Sequence, residues 1–174
     1  MAEQPFLFGD GPWIQIKDGN PTGMSIFKRH YTARKRRKIE QCIGPGGKML
    51  LLTPDARALF AWRQFKSDNG QIGVNCAIFR NEGSDAGRAS DLIQAAVIHA
   101  WERWPGERLY TYVDPSKVRH KRDPGRCFLK AGFKRCGVTK DGLLIFERLP
   151  EDYSTRNSTE QSATAYNQNK KAHE

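Results

Sequence analysis

The 174-residue sequence predicts an α/β (α+β) domain with a mixed central sheet. An antiparallel meander comes first, followed by a βαβ unit, a short helix and a C-terminal hairpin. Three observations predict this order. Apolar residues recur at helical spacing between positions 89 and 104, they alternate between 72 and 78, and turn-forming residues separate the other apolar runs.

The long helix is predicted from Gly87 to Trp104. Its apolar positions follow the i, i+3, i+4, i+7 series: Ala89, Leu92, Ile93, Ala96, Val97, Ala100, Trp101 and Trp104. Polar residues occupy the opposite face, and Pro105-Gly106 ends the helix. We therefore expect an amphipathic helix that packs on a sheet.

The two flanking strands are predicted from different patterns. Ile72, Val74, Cys76 and Ile78 alternate as in a strand with one core face. Residues 108–113 are rich in strand-forming side chains and end at Asp114-Pro115. A strand, a helix and a strand in succession form a βαβ unit, whose two strands are parallel.

The remaining elements are predicted from short apolar runs and turns. Residues 49–52 and 58–62 complete the meander. Residues 125–131 form a short helix ended by Gly132, and Asp141-Gly142 is the turn of a hairpin. Residues 25–37 are predicted as a basic helix preceded by Pro21 and Gly23. Residues 1–150 are expected to form one domain, and the polar residues 151–174 a disordered tail.

The charge of the sequence is +10, from 29 Lys and Arg against 19 Asp and Glu. The basic residues form two clusters: Lys28, Arg29, Arg34, Lys35, Arg36, Arg37 and Lys38, then Lys117, Arg119, Lys121, Arg122, Arg126, Lys130, Lys134 and Arg135. They predict a polyanion partner such as DNA, RNA or the phosphates of coenzyme A. The residues expected to contact DNA are Arg34, Lys35, Arg36, Arg37, Lys121, Arg122 and Arg126. The alternative is two solvated faces.

The cysteines and the N-terminus bear on the compartment. Four cysteines without a CxxC pair argue against a disulfide framework or a Cys-rich zinc site and favour a reducing compartment. No secretion signal or membrane-length apolar run is evident. We expect a cytoplasmic protein without a membrane partner. The oligomeric state stays open, with a homodimer among the alternatives.

The turn before the long helix, residues 80–90, is rich in small residues. A turn that opens a helix presents free backbone N–H groups and a positive dipole end to an anion. Gly87 and Ala89 allow close backbone approach, and Arg80 and Arg88 add positive charge. The alternative is an ordinary capping loop that uses Ser84 or Asp85.

This turn resembles the pyrophosphate loop of the GNAT acyltransferases, which has the form Q/R-x-x-G-x-G/A. The matching run is 84–89, with Ser84 at the first position. Residues 123–133 resemble a later GNAT segment, a short helix that closes in a Gly-Phe turn. The resemblance implies the GNAT fold over residues 24–148. It also implies acetyl-CoA or a related acyl donor as cofactor, bound by Arg80, Gly87, Arg88 and Ala89.

Five further segments are similar to the phage Mom family of GNAT-related enzymes: 29–32 (RHYT), 79–82 (FRNE), 89–93 (ASDLI), 111–114 (TYVD) and 124–128 (PGRCF). Those enzymes add a carbamoylmethyl group to N6 of adenine in phage DNA and so protect it from host restriction. The resemblance implies His30, Tyr31, Ser90 and Asp114 as catalytic residues, with Arg80 beside them. It also suggests iron, with His30 and Asp114 as candidate ligands.

The chemistry of these residues leaves alternatives open. Asp114 could orient or deprotonate an amine, or serve only as a turn residue before Pro115. His30 should have a lowered pKa within its basic cluster and could be a base or a ligand, or a surface histidine. Tyr31 could donate a proton or stack on a flipped base, or belong to the core. Ser90 could simply cap the helix or face solvent.

Three functions are compatible with the sequence. The first is DNA-adenine modification. The second is acetyl-CoA-dependent N-acetylation of a small amine or a protein. The third is non-catalytic nucleic-acid binding by a degenerate GNAT fold.

Overall fold

The fold is a seven-stranded mixed sheet with helices on both faces. In this computed structural model the described residues are 11–33, 40–118 and 123–151. Their elements are β1 (Ile14–Ile16), α1 (Pro21–Lys28), β2 (Gly47–Leu52), β3 (Ala58–Gln64), β4 (Val74–Asn81), α2 (Ala89–Arg103), β5 (Leu109–Val113), a 3-10 turn (Pro115–Lys117), α3 (Arg126–Lys130), β6 (Lys134–Val138) and β7 (Leu144–Arg148). The strand order is β1-β2-β3-β4-β5-β7-β6.

The predicted order of elements is confirmed. Strands β2, β3 and β4 form the antiparallel meander, and β4, α2 and β5 form a parallel βαβ unit. The hairpin of β6 and β7 follows α3, and β7 pairs antiparallel with β5. The short strand β1, which pairs with β2, was not predicted. The expected single domain and the character of residues 152–174, which lie outside the described part, stay predictions.

Helix α2 packs on the sheet along the predicted apolar stripe. Leu92, Ile93, Ala96, Val97 and Ala100 are fully buried. Two tryptophan indoles of the sheet side donate hydrogen bonds to α2 carbonyls, from Trp13 to Leu92 at 2.9 Å and from Trp62 to Ala96 at 2.8 Å. These bonds hold α2 against one face of the sheet. Helix α1 packs with β3 and β4 on the opposite face of the sheet. None of the helices in the described ranges is long and apolar enough to span a membrane.

The predicted basic helix over 25–37 is wrong in its bounds. Helix α1 begins at Pro21, because the Asn20 side chain accepts hydrogen bonds from the N–H groups of Thr22 and Gly23. Pro21 suits the first helical position, since its missing N–H would be unpaired there anyway. The helix ends at Lys28, so His30 and Tyr31 lie in the turn that follows it.

The predicted alternation along β4 is wrong at both ends. Ile72 precedes the strand and is 69 % exposed. Cys76 pairs with Trp62 whereas Ile78 pairs with Ala61, so Ala77 is an extra residue, a β-bulge. The bulge reverses the facing of the residues beyond it. Cys76 therefore packs in the core beside α2, and Ile78 packs on the α1 face.

Strands β4 and β5 separate after a short paired region. They pair only from Val74–Cys76 to Leu109–Thr111, although β4 runs on to Asn81 and β5 to Val113. The wedge opens at the carboxyl ends of the two strands, where open α/β sheets place their ligands.

Candidate active site

A cavity of about 650 Å³ occupies the wedge between β4 and β5. Its walls include Cys76, Ala77 and Phe79 from β4, and Thr111, Tyr112 and Val113 from β5. It gathers seven of the predicted site residues: His30, Tyr31, Arg88, Ala89, Ser90, Asp114 and Arg126. Arg80 and Gly87 are not among its lining residues. The predicted DNA contacts Arg34, Lys35, Arg36, Arg37, Lys121 and Arg122 lie outside the described residues.

His30 is a buried, neutral histidine rather than the surface histidine of the alternative. His30 is 7 % exposed, and its ring lies against the ring of Tyr31, with the two centroids 4.4 Å apart. Burial, together with the smaller effect of the positive charge of Arg80, lowers the pKa of His30 to about 4. The predicted lowering is confirmed, but burial is its main cause.

Tyr31 is half-buried at the cavity wall. Burial raises the pKa of its hydroxyl, and the negative charge of Asp114 acts in the same direction. The phenol therefore keeps its proton at neutral pH. Tyr31 is placed to donate that proton to a group in the cavity.

Asp114 is the turn residue that one sequence alternative proposed, and it also lines the cavity. Its carboxylate accepts hydrogen bonds from the N–H of Ser116 at 2.9 Å and from the Ser116 hydroxyl at 2.6 Å, which starts the 3-10 turn. The turn fixes the carboxylate at the end of β5, where it can accept a hydrogen bond from a bound amine.

The turn before α2 is not the capping loop that the sequence offered as the alternative. Neither Ser84 nor Asp85 caps the helix. Instead, the Ser84 hydroxyl and the Asp85 N–H donate to the carboxylate of Asp55, in the β2–β3 turn, at 2.9 and 2.8 Å. Hydrogen bonds from Thr53, Asp85 and Ser84 lower the pKa of Asp55 to about 2. This contact tethers the turn to the sheet.

The N-terminus of α2 is open to an anion. Arg88 is its N-cap residue and makes no side-chain cap, so the N–H groups of Ala89, Ser90 and Asp91 have no intrahelical partner. Arg88, Ala89 and Ser90 line the cavity. The Arg88–Asp91 ion pair, at 3.1 Å, is solvent-exposed and contributes little.

The Arg80 side chain forms an ion pair with Glu82 and does not line the cavity. Its Nε lies 2.6 Å from the Glu82 carboxylate, which also accepts two hydrogen bonds from Arg29 at 2.7 Å. The two arginines lower the pKa of Glu82 to about 2. These two ion pairs link the end of α1 to the end of β4 and so position the segment that carries His30 and Tyr31.

The rim of the cavity is basic. Lys117, Arg126 and Lys130 line it beside Arg88, against the acidic Asp114 and Asp123. Three described side chains of the second predicted basic cluster therefore lie at the cavity mouth. Lys134 and Arg135 lie on β6 instead.

The β4 bulge supplies a functional feature that the sequence did not predict. The extra residue of a bulge is left out of the strand ladder. Ala77, the extra residue, lines the cavity. Its backbone groups are therefore candidates to bind a ligand oxygen. An apolar run such as residues 76–78 contains no turn residue that would mark a bulge.

The residues present do not fit an iron site. Within the described ranges, no group of three or more His, Cys, Asp or Glu side chains is arranged to hold a metal ion. The Nδ1 atom of His30 is engaged by Thr32, whose hydroxyl lies 2.7 Å away. His30 and Asp114 line the same cavity, but among the described residues no third His, Cys, Asp or Glu side chain is arranged with them as a ligand.

Comparison with known proteins identifies the fold. No protein-family model and no curated protein sequence matches the chain. A protein of Bordetella pertussis assigned to the GNAT acetyltransferases superposes with a TM-score of 0.54 at 13 % identity, covering 84 % of this chain and 99 % of that one. The aminoglycoside acetyltransferase AAC(6')-Ib, in complex with coenzyme A, gives 0.47 at 17 % identity, covering 62 % and 68 %. The chain has the GNAT acetyltransferase fold.

Proposed function

We propose that this chain is a GNAT-type group transferase that modifies the N6 amine of adenine in DNA. The carbamoylmethyl group is the modification that the motif resemblance implies. The observation that carries the proposal is the wedge cavity. It brings a protonated Tyr31 hydroxyl, the Asp114 carboxylate and the open end of α2 together under a basic rim.

The donor side of the cavity suits a phosphate-bearing cofactor. The first-turn N–H groups of α2 and the Arg88 guanidinium fit the phosphates of acetyl-CoA or a related acyl donor. Acetyl-CoA, when bound, would supply a thioester carbonyl carbon and a thiolate leaving group, so attack by the amine would form an amide and release the thiol. Transfer of a carbamoylmethyl group would instead need a donor that is activated at its methylene carbon and carries its own leaving group there. Ala77, outside the strand ladder, can offer a backbone hydrogen bond to an oxygen of the transferred group.

The acceptor side suits an aromatic amine. The lone pair of such an amine is delocalised into its ring, so a hydrogen-bond acceptor that withdraws a proton makes it a better nucleophile. The Asp114 carboxylate is fixed for this role by Ser116. Tyr31 holds a proton on its hydroxyl oxygen that it can donate to a leaving group. A volume of about 650 Å³ is within the usual range of ligand pockets.

The basic rim supports a nucleic acid as the carrier of that amine. Because N6 chemistry is hindered inside a duplex, the adenine must be flipped out while the flanking phosphates are held. Lys117, Arg126 and Lys130 stand at the cavity mouth, where such phosphates would lie. Contacts of this kind bind DNA without reading its sequence.

N-acetylation of a small amine or a protein is the second candidate. It is favoured by the fold likeness to the Bordetella pertussis protein. The two candidates share the donor site and differ in the acceptor. Release of free coenzyme A with a small amine, without any change in DNA, would favour N-acetylation.

Resistance of DNA to restriction enzymes tests the proposal. Plasmid is prepared from cells that express the wild type, Asp114→Asn or Tyr31→Phe, and is digested with enzymes whose sites contain adenine. We expect protection by the wild type and little protection by the variants. Full digestion of wild-type plasmid, at expression levels verified by immunoblot, overturns the proposal.

Binding measurements separate the donor and the DNA requirements. Calorimetry with acetyl-CoA should show weaker binding for Arg88→Ala than for Arg103→Ala, which removes the same charge at the far end of α2. Arg126→Ala should weaken DNA binding and lower its salt dependence by about one counterion. Arg135→Ala, an exposed arginine on β6, is the matched control. Equal effects within either pair contradict the assigned site.

A further inference from the structure

The side chain of His30 is engaged on one side by its near neighbour Thr32. The Thr32 hydroxyl oxygen lies 2.7 Å from Nδ1 of His30, and the backbone N–H of Thr32 donates to the same Nδ1 at 3.4 Å. Both groups therefore meet one ring nitrogen. Among the described residues, the hydrogen bonds of the His30 side chain involve Nδ1 alone.

These two contacts decide where the ring proton resides. A threonine hydroxyl can donate or accept, so by itself it fits either tautomer. A backbone N–H can only donate. Although 3.4 Å is long for a hydrogen bond, a proton on Nδ1 would point at that N–H group and be repelled by it. Nδ1 must then be the acceptor, and in a neutral ring the proton lies on Nε2.

The position of the ring determines what Nε2 can reach. His30 lines the wedge cavity, whereas Thr32, which engages its Nδ1 atom, does not. Tyr31 covers one face of the ring, with the two planes 32° apart. Among the described residues Nε2 has no hydrogen-bond partner, so it is the ring nitrogen available to a ligand in the cavity.

We propose that Thr32 holds His30 in the Nε2–H tautomer, so that His30 donates a hydrogen bond to an uncharged acceptor atom of the bound substrate. In this role His30 is neither the general base nor a metal ligand, because its one free lone pair is committed to Thr32. A ring nitrogen or a carbonyl oxygen fits such a donor, whereas a protonated amine does not. The part concerning the substrate rests on the proposed function. The tautomer does not.

Histidine side-chain nitrogen correlation spectra of the ¹⁵N-labelled full chain test the tautomer at neutral pH. The His30 signals are assigned as those lost in His30→Gln. We expect a pyridine-type shift at Nδ1 and a pyrrole-type shift at Nε2. Thr32→Ser should preserve this pattern. Thr32→Val keeps only the long backbone contact of 3.4 Å and loses the hydroxyl contact of 2.7 Å, so it should give a mixture of tautomers. Thr139→Val, in the distant β6–β7 turn, should change nothing.

Two results overturn the proposal. A proton on Nδ1 in the wild type refutes the tautomer. A Thr32→Val spectrum identical to that of the wild type refutes the role of the Thr32 hydroxyl in holding the tautomer. If Thr32→Val fails to fold, the wild-type and Thr32→Ser spectra still decide the tautomer, and Thr32→Ala replaces the valine variant.

Kinetics test the substrate contact. His30→Gln carries an amide N–H near the position of Nε2, while His30→Leu has no donor. We expect kcat/KM to be about tenfold lower for His30→Leu than for His30→Gln, the value of one hydrogen bond. Equal values refute the contact. If neither the wild type nor the His30 variants modify adenine, the proposed function fails. The spectra still test whether Thr32 holds the tautomer of His30.

Discussion

Acidification provides a direct stability test of the burial of His30. The pKa of His30 is about 4 in the folded protein, against 6.5 for an unburied histidine. Between these pH values the unfolded chain binds a proton that the folded protein does not bind. Stability is therefore lost as the pH falls from about 6.5 to about 4.

The size of the loss follows from the two pKa values. One pKa unit corresponds to about 1.36 kcal/mol, so the gap between 6.5 and about 4 amounts to about 3 kcal/mol at full effect. The side chain is almost wholly buried, which leaves little room for solvent screening. The pKa values of Asp55 and Glu82 are about 2 in the folded protein, against 3.8 and 4.5 in the unfolded chain. Their stabilisation is lost as the pH falls from about 4.5 to about 2, which overlaps only the lower end of the His30 window and is common to both proteins compared below.

The assay is urea unfolding of the wild type and of His30→Gln at several pH values between 7 and 4. Glutamine cannot take up a proton, so the difference in unfolding free energy between the two proteins isolates His30. We expect this difference to change by about 3 kcal/mol in the direction that disfavours the wild type at low pH. A difference that stays constant over the window would refute the burial argument.

Three further perturbations address the framework of the site. Gly125→Ala places a Cβ 2.5 Å from the Phe146 ring at a positive φ of 79°, and urea unfolding should show a loss of about 2 kcal/mol or more. Gly142→Ala has a similar φ of 81° but lies in open space, so it should cost only about 1 kcal/mol. Equal costs for the two variants would contradict the clash with Phe146. Asp55→Ala should accelerate amide hydrogen exchange at Asp85, which loses its acceptor, and unchanged exchange would show that the turn does not depend on this contact. Tyr31→Phe should slow group transfer while leaving DNA affinity intact, and a parallel fall of both would indicate a binding role instead.

Much of the fold could be predicted because its signals are local. The apolar stripe of α2 and the glycine turns specify their elements within a few residues. Helix α1 was predicted over the basic residues 25–37, whereas the capping residue Asn20 and Pro21 determine where it begins. The bulge at Ala77 could not be predicted, since it depends on the register of β3 against β4.

The site was predicted less completely, for a related reason. Tyr31, Ser90 and Asp114 line the cavity, and their catalytic roles stay predictions. The partners of Arg80 and Ser84 are far away in sequence, and their contacts with Glu82 and Asp55 depend on the folded chain. The Thr32–His30 contact spans two residues and could have been suspected from the sequence. Its consequence for the tautomer needed the distances.

The central claim is that the wedge cavity transfers a group to adenine in DNA. Mass spectrometry of nucleosides, from DNA of cells that express the wild type or Asp114→Asn, tests it most directly. We predict a modified deoxyadenosine, heavier by the transferred group, in the wild-type sample and its near absence in the variant. Unmodified deoxyadenosine in both samples, at equal protein levels, would contradict the claim.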